Sequence, residues 1–353
     1  MIKRLLLVLL LLAAFALLWA LRELYRPFRA YSGNQFVVIE PKTPSAEVAG
    51  ILVEKGVLAH RAPFLLRYWL SRPRHPLMAG EYLFDRPMRP ADVYRKLVRG
   101  EVYLHPVVVP EGSDRFDIAR ILQERMGINP ADFLEETSSA SRVRDLDPDA
   151  PSLEGYLFPD TYLFARGVSA AAVANTMVAR FRREMESKFL SEIQSSNSSL
   201  HEVITLASLV EKETPDPAER PVIAGVFERR LNKRMPLQCD PTVVYALRLH
   251  QGLADLRSEP ITRSDLRLDS PYNTYRRAGL PPGPICNPGR ASILAALNPA
   301  PGDSLYFVSN SRGSHFFART LQEHQRNVAR YRRQAAAQNA SKSRGARGRA
   351  RAD

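Results

Sequence analysis

Two glutamates stand together where an apolar segment ends in the middle of this chain. The segment ASLVEKETPDP runs from Ala207 to Pro217 and contains Glu211 and Glu213. On an ideal helix, with about 100° per residue, both acids lie at the edges of the buried face. A helix C-terminus disfavours negative charge, and burial raises the pKa of a carboxyl group. The pattern predicts a carboxyl group that keeps its proton near neutral pH, as a general acid requires.

The same residues are also typical of a solvated helix tip. In that interpretation the acids are exposed and pair with Lys212 or Arg220, which contributes little to stability. Glu213 continues the apolar row of the helix and Glu211 does not, but this favours Glu213 only weakly. The residues of this segment therefore leave both interpretations open.

A second candidate site is the aromatic run LEGYLFPDTYLF, Leu153–Phe164. Aromatic rings stack on sugar rings, and carboxylates such as Glu154 and Asp160 accept hydrogen bonds from hydroxyl groups. The run is also compatible with a core strand and turn. Nucleotide and metal chemistry have little support, because the sequence contains no glycine-rich phosphate loop, no paired CxxC and no HExxH.

Clear capping signals mark the elements that must position these acids. Ser199-Leu-His-Glu202 is a capping box and predicts a helix from Leu200. Asp216-Pro217-Ala-Glu219 predicts another helix from Pro217. Further helix starts are predicted at Asp240-Pro241, Asn287-Pro288 and Thr320, and a hairpin is predicted from Ser304–Ser309 and Ser314–Ala318. The second half of the chain is thus expected to be an α+β body.

The first half predicts a smaller strand–helix–helix–strand unit with one further helix before its last strand. Its predicted elements are a strand at Phe36–Ile39, helices at Ser45–Lys55, Ala62–Leu70 and Pro90–Val98, and a strand at Val102–Val109. The segments that begin at Val37 and Val107 resemble each other, since each reads as strand, polar turn and two helices. We interpret them as an internal structural repeat, which serves either to bind a polymer or as a structural platform.

The N-terminus has the composition of an export segment. Lys3 and Arg4 precede Leu5–Leu21, which carries no charge and is at the short end for spanning a bilayer. We favour an uncleaved membrane anchor over a signal peptide, although Ala14-Phe15-Ala16 has the form of a cleavage site. Basic residues flank the run on both sides, so the positive-inside rule does not set its orientation.

The chain is basic overall, with a formal net charge of +13, which favours anionic partners in a general way. The segment after Arg333 is basic and poor in large apolar residues, and we predict a disordered tail there.

The two cysteines, Cys239 and Cys286, fit an exported protein that needs no disulfide framework. A disulfide between them is left open, because the sequence does not reveal their geometry.

The ordered motifs of the second half resemble the YceG-like endolytic murein transglycosylases. They are ASLVEKET (207–214), LQCDPTVVYAL (237–247), SPYNTYRRAGLPPGPICNPG (270–289) and LYFVSNSRGSHFFA (305–318), and EGYLFPDTY (154–162) is similar too. The resemblance extends from about Phe36 to Arg333 and implies a mixed α+β fold. It implies a transmembrane anchor in 1–31, a LysM-like subdomain in 33–105, a catalytic domain in 106–333 and a basic disordered tail in 334–353. It also implies a cytoplasmic N-terminus, attachment to the cell inner membrane and a body that faces the cell wall.

The resemblance implies one catalytic residue, Glu213, the second acid of the E-K-E-T motif. Its implied reaction breaks the β-1,4 bond between N-acetylmuramic acid and N-acetylglucosamine and forms a 1,6-anhydro ring. Ordinary glycosidases use two carboxyl groups, but one can suffice when the nucleophile belongs to the substrate. The residues expected to shape the site or hold the glycan are Glu154, Tyr156, Asp160, Glu211, Gln238, Asp240, Thr242, Tyr245, Tyr272, Asn273, Thr274 and Tyr275.

Asp240 and His315 each have a structural interpretation beside a role in this expected site. Asp240 is the best candidate for a second carboxylate, but its position before Pro241 favours a helix N-cap. His315 is a weaker site candidate, because hairpin residues beside aromatics are more often structural. The resemblance gives neither cysteine a catalytic role.

The resemblance also bears on partners. It implies no cofactor and no metal. The expected partners are peptidoglycan glycan strands, the membrane and peptidoglycan synthases, and not nucleic acid. The alternatives are a non-catalytic wall-binding scaffold for elongation or division enzymes, and a hydrolase that uses water.

Overall fold

The computed structural model describes residues 2–71, 76–196, 198–252, 261–310 and 314–334. The chain divides into two compact units. The first comprises Met1–Pro106 with Leu163–Val168, and the second comprises Val107–Tyr162 with Ser169–Asp353.

The first unit contains a strand–helix–helix–strand arrangement between two further helices. Its elements are α1 (Ile2–Tyr25), β1 (Gln35–Ile39), α2 (Ser45–Glu54), α3 (Arg61–Leu70), β2 (Gly80–Phe84) and α4 (Pro90–Val98). β1 and β2 pair antiparallel, with Val37 opposite Tyr82. Val37 and Ile39 are buried while their neighbours are exposed, as the two-residue period of a strand requires. The strands close a core that includes Leu52 and Phe64.

The second strand of this arrangement differs from the prediction. β2 occupies GEYLF, where no strand was predicted. Glu81 is nevertheless buried, since its carboxylate pairs with Arg166 at 3.1 Å and His105 at 2.5 Å. The strand predicted at Val102–Val109 does form, as β3 (Leu104–Val108), but it pairs with β4 (Thr161–Ala165) rather than with β1.

The two terminal predictions have different outcomes. Within the described residues, no helix combines the length and apolar character needed to cross a membrane. The predicted transmembrane anchor is therefore not confirmed. The predicted basic tail falls on residues that lie almost wholly outside the described ones.

The second unit is mostly helical. After β3 come α5 (Arg115–Met126), α6 (Pro130–Ser138), β4, α7 (Ala170–Lys188), α8 (Leu190–Ser195), α9 (Leu200–Glu213), α10 (Arg220–Asn232), α11 (Asp240–Gln251), a 3-10 turn (Asp265–Arg267), α12 (Arg290–Leu297), β5 (Tyr306–Ser309), β6 (His315–Ala318) and a last helix at 321–334. The order β3, α5, α6 repeats the order β1, α2, α3, which confirms the predicted repeat of secondary structure.

Helix α9 is a buried element of the second unit and positions Glu213. The predicted capping box is confirmed: the Ser199 hydroxyl accepts from the backbone N–H of Glu202, and the Glu202 carboxylate accepts from that of Ser199. The apolar face of α9 packs against α10, α11 and α12. The helix ends at Glu213 because Thr214 precedes Pro215 and takes an extended conformation.

The predicted start of α10 is wrong. The helix begins at Arg220 rather than at Pro217, and the Asp216 carboxylate accepts from the N–H of Ala218 in a turn. Glu219 does not close a capping box. Its carboxylate instead accepts from the backbone N–H and ring Nδ1 of His315. A long-range contact has replaced the local one.

The starts of α12 and α11 are also displaced. α12 begins at Arg290, because the Asn287 side chain donates to Glu154 instead of capping a helix. At α11, Cys239 occupies the N-cap position and Asp240 is the first helical residue, so the N-cap interpretation of Asp240 is wrong.

The hairpin prediction is confirmed and the disulfide does not form. β5 and β6 pair antiparallel with Tyr306 opposite Ala318. Cys239 and Cys286 are both buried, free thiols.

Candidate active site

A cavity of about 380 Å³ opens at the end of α9, where Glu213 is the last helical residue. Eleven residues line it: Glu213, Arg230, Leu237, Gln238, Asp240, Tyr275, Phe307, Val308, Ser309, His315 and His324. All of these residues belong to the second unit. Segments far apart in the sequence thus converge on one carboxyl group.

The surroundings of Glu213 raise its pKa to about 6. Burial is the largest cause, because it penalises the charged carboxylate. The neighbouring Cys239 thiol limits the rise, the negative charge of Asp240 adds to it, and the positive charge of Arg230 reduces it. The side chain nevertheless reaches the cavity. This environment favours a carboxyl group that holds its proton, as a general acid requires, and it differs from that of a solvated helix tip.

Glu211 has a different environment, although it lies only two residues away. Its carboxylate accepts from the Arg220 guanidinium at 3.0 Å and from the backbone N–H of Gly289 at 2.9 Å. The side chains of Glu211 and Arg220 are 5% and 8% exposed. The ion pair connects the end of α9 to α10, and the hydrogen bond from Gly289 connects it to the start of α12. Glu211 is not among the residues that line the cavity.

Three of the predicted glycan-holding residues join Glu213 at the cavity: Gln238, Asp240 and Tyr275. The Tyr275 hydroxyl donates a hydrogen bond to the Asp240 carboxylate. Gln238 has a φ of 52°, a left-handed conformation that costs a residue with a side chain free energy. Its backbone N–H donates to the Thr274 carbonyl oxygen at 3.2 Å, which helps to hold that conformation. Such strain is common at binding sites.

Three other predicted residues, Thr242, Asn273 and Thr274, are buried behind this wall. The Thr274 hydroxyl accepts from the backbone N–H of Cys239 at 3.0 Å, and the Thr242 hydroxyl donates to the Cys239 carbonyl oxygen at 2.7 Å. The Asn273 amide donates to two backbone carbonyl oxygens of its own loop. These side chains support the segment that carries Gln238 and Asp240.

The remaining predicted residues do not line the cavity: Glu154, Tyr156, Asp160, Tyr245 and Tyr272. Glu154 is 1% exposed and accepts from the Asn287 amide at 2.9 Å, and burial raises its pKa to about 8. Asp160 forms an ion pair with Arg180 at 2.7 Å. Their positions favour the core strand-and-turn interpretation of the aromatic run.

Several residues that contribute to the site were not predicted from the sequence. Arg230 lies near the end of α10, where a basic residue is normally solvated, yet it is only 7% exposed. Its guanidinium donates to the carbonyl oxygens of Leu305 at 2.6 Å and Leu237 at 2.8 Å. Glu219 was interpreted as a helix cap and His324 was not considered. Their roles depend on contacts with residues far away in the sequence. No local sequence pattern predicts such contacts.

The arrangement suits acid–base chemistry on a ligand rich in hydroxyl and amide groups. It offers one proton-holding carboxyl group together with amide, phenol and imidazole groups that donate or accept hydrogen bonds. Over the described ranges, no cluster of three or more His, Cys, Asp or Glu residues could hold a metal ion.

Comparison with known proteins agrees with these motifs. Residues 37–330 match the model of the YceG-like family. An endolytic murein transglycosylase from Bacillus subtilis (strain 168) is 33% identical over 301 residues, which cover 80% of this chain and 81% of the relative. One from Streptococcus pneumoniae serotype 2 (strain D39) is 30% identical over 333 residues, covering 86% of this chain and 60% of the relative.

A solved structure supports the same assignment. A YceG-like protein from Listeria monocytogenes has a TM-score of 0.57 at 33% identity, and the match covers 84% of this chain and 99% of that protein. Because the family model matches most of the sequence, this chain belongs to the YceG-like family.

Proposed function

We propose that this protein is an endolytic lytic transglycosylase that cleaves the β-1,4 bond between N-acetylmuramic acid and N-acetylglucosamine within nascent peptidoglycan strands. The observation that carries this assignment is Glu213, a carboxyl group with a pKa of about 6 at the wall of a polar cavity. Its relatives in Bacillus subtilis and Streptococcus pneumoniae are named endolytic murein transglycosylases, which supports the same reaction.

The proposed reaction needs one carboxyl group. Protonated Glu213 donates its proton to the bridging oxygen as the bond from that oxygen to C1 of the muramic sugar breaks. The C6 hydroxyl of the same sugar then attacks C1, and the Glu213 carboxylate takes the hydroxyl proton. A 1,6-anhydro ring forms, the second fragment leaves with a free hydroxyl, and Glu213 is protonated again without consumption of water.

The alternatives have weaker support. A hydrolase would need a second carboxylate to activate water or act as the nucleophile. Asp240 is the other acid of the cavity wall, but it is held by the Tyr275 hydroxyl. A non-catalytic scaffold would not require an acid with a raised pKa at an open cavity.

Digestion of purified peptidoglycan by the full-length protein tests the function. We expect new chain ends that carry anhydro-muramic acid, lighter by one water than reducing ends in mass spectra. Reducing ends would instead indicate hydrolysis. Absence of cleavage would favour the scaffold, and full activity in Glu213→Gln would remove Glu213 from the mechanism.

The location in the cell that we propose is one where this activity would act on growing glycan strands. The protein would be held at the cell inner membrane by the apolar run Leu5–Leu21 and would face the cell wall, where it ends glycan strands as peptidoglycan synthases extend them. The strand–helix–helix–strand order of the first unit is compatible with a LysM-like subdomain that contacts glycan. Protease digestion of intact and lysed cells tests this placement, since cytoplasmic location of the second unit would contradict it.

A further inference from the structure

The Glu213 cavity contains a second group able to handle a proton, the imidazole of His315. Its Nδ1 lies 2.6 Å from one carboxylate oxygen of Glu219, and its backbone N–H donates to the other oxygen at 2.7 Å. Glu219 also accepts from the Thr214 hydroxyl at 3.4 Å. Because Thr214 directly follows Glu213, this one carboxylate connects the end of α9 to the imidazole.

These contacts determine which ring nitrogen is offered to the cavity. An ionised carboxylate only accepts hydrogen bonds, so Nδ1 must carry the hydrogen that it donates to Glu219. In the neutral ring, Nε2 then has a free lone pair. In the part of the chain that the structure describes, Nε2 has no hydrogen-bond partner and is not buried, and His315 lines the cavity.

The ring is also held in place by its neighbours. It packs edge-on against Phe307, with ring centroids 5.4 Å apart, and the side chain is 11% exposed. An imidazole that is oriented by a carboxylate and packed on one side is typical of a positioned functional group. A ring that only fastened the hairpin would not need to line the cavity.

We propose that His315, oriented by Glu219, accepts a hydrogen bond from the sugar hydroxyl that attacks the anomeric carbon. This role rests on the proposed function. Before bond cleavage, Glu213 still holds its proton and directs it to the bridging oxygen, so it does not accept from the attacking hydroxyl at that stage. A separate acceptor keeps that hydroxyl in place while the bond begins to break, and the hydroxyl proton passes to the Glu213 carboxylate once Glu213 has given its own proton to the bridging oxygen. His315 supplies this acceptor, and Glu219 is the positioning residue behind it.

The proposal predicts a change in product as well as in rate. When the internal hydroxyl is poorly held, water competes for the anomeric carbon and produces reducing ends. We expect His315→Asn to lower kcat by about ten- to a hundredfold, as for the loss of one well-placed hydrogen bond, with a smaller change in KM. The Asn amide can still donate to Glu219, but it has no atom at the position of Nε2. The fraction of reducing ends among new ends should rise several-fold.

Glu219→Gln tests the positioning step separately. The Gln carbonyl oxygen can accept from the His315 backbone N–H, which leaves the amide NH₂ facing Nδ1. The ring must then accept at Nδ1 and carry its hydrogen on Nε2, where an acceptor becomes a donor. Nitrogen-15 NMR of the ring reports this tautomer directly. We expect the tautomer to change, kcat to fall by about tenfold and reducing ends to increase.

His201→Asn is the matched control. His201 also binds a carboxylate through Nδ1, Asp147 at 2.9 Å, but its Nε2 lies 3.1 Å from the Pro282 carbonyl oxygen and the residue does not line the cavity. Its substitution should leave the ratio of anhydro to reducing ends unchanged. Thermal unfolding of each full-length variant shows whether it is folded at the assay temperature.

The outcomes separate this inference from the proposed function. Wild-type protein that makes no anhydro ends would overturn the proposed function itself. If the wild type makes anhydro ends, an unchanged product ratio in His315→Asn overturns the role of His315, even where the rate falls, because a purely structural contact affects rate alone. An unchanged ratio in Glu219→Gln with an altered tautomer overturns the role of Glu219.

Discussion

The thiol of Cys239 neighbours the carboxyl group of Glu213 and lowers the pKa that burial has raised. Cys239 is itself buried, and burial together with the nearby Glu213 raises the pKa of its thiol, so it remains a neutral donor. A thiol is a weak donor, so its effect on the carboxylate is modest. The acidity of Glu213 is therefore set by a balance between desolvation and a residue from a different segment of the chain.

The pH profile of the wild-type enzyme should reflect this balance. In the proposed reaction Glu213 acts first as an acid and must be protonated, and its pKa is about 6. On the alkaline side of the profile, we expect kcat/KM for glycan cleavage to decrease as pH rises through about this value. A profile that is flat from pH 5 to pH 8 (a range of about three units around the expected midpoint) would contradict the assignment of Glu213 as general acid.

Substitution of Cys239 should move that midpoint in a predictable direction. Cys239→Ala removes a donor to the carboxylate, so the midpoint of the kcat/KM profile should rise, by less than about one pH unit. Cys239→Ser provides a stronger donor of similar shape, so the midpoint should fall below that of the wild type. Cys286→Ala is the control, since that thiol donates to the Ser208 carbonyl oxygen and should leave the midpoint unchanged.

Removal of the Glu213 charge should stabilise the fold at high pH. The pKa rises from 4.5 to about 6 on folding, so the folded protein binds this proton more tightly than the unfolded chain. The bound proton therefore stabilises the folded protein at pH values below the pKa of the unfolded chain. This stabilisation of about 2 kcal/mol is lost as the pH rises through the pKa of the folded protein.

Chemical denaturation of wild type and Glu213→Gln at two pH values measures this effect. We expect the unfolding free energy of the variant minus that of the wild type to be about 2 kcal/mol larger at pH 8 than at pH 4. Equal differences at the two pH values would show that Glu213 is not destabilised in its charged form.

The Glu211–Arg220 pair should matter for stability rather than for the acid step. Loss of one partner of a buried ion pair costs roughly 3–5 kcal/mol. Glu211→Gln should lie at the lower end, about 3 kcal/mol, because Glu111 remains 3.9 Å from Arg220. Glu111→Gln is the matched control, since its side chain is 50% exposed and its loss should cost about 1 kcal/mol or less. A shift of the kcat/KM midpoint in Glu211→Gln as large as that of Cys239→Ala would contradict this separation.

The left-handed backbone conformation of Gln238 should lower the stability of the fold, while its side-chain amide should contribute to glycan binding. Gln238→Gly relieves that conformation and should raise the unfolding free energy by about 1 kcal/mol, while loss of the amide raises KM for glycan. Arg234→Gly is the matched control. Its φ is 55°, it is exposed, and it does not line the cavity. It should gain similar stability without a change in KM, and a KM increase in both variants would remove Gln238 from substrate binding.

Local interactions explain why much of the fold was predictable. The capping box at Ser199 depends on side chains three residues apart, and the hairpin of β5 and β6 depends on strands that are close in sequence. The strand β2 and the start of α10 were mispredicted, because Glu81 and Glu219 find their partners far along the chain. A pattern of neighbouring residues contains no information about such partners.

The sequence by itself determined that an apolar helix ends in two acids, and its ordered motifs identified the family. Tertiary structure decided what each acid does. Glu211 meets Arg220 and Gly289 and becomes part of a buried ion pair. Glu213 meets a cavity, and its pKa is set there by residues of other segments. The physical reason is that protonation depends on desolvation and nearby charge, which exist only once distant segments have packed together.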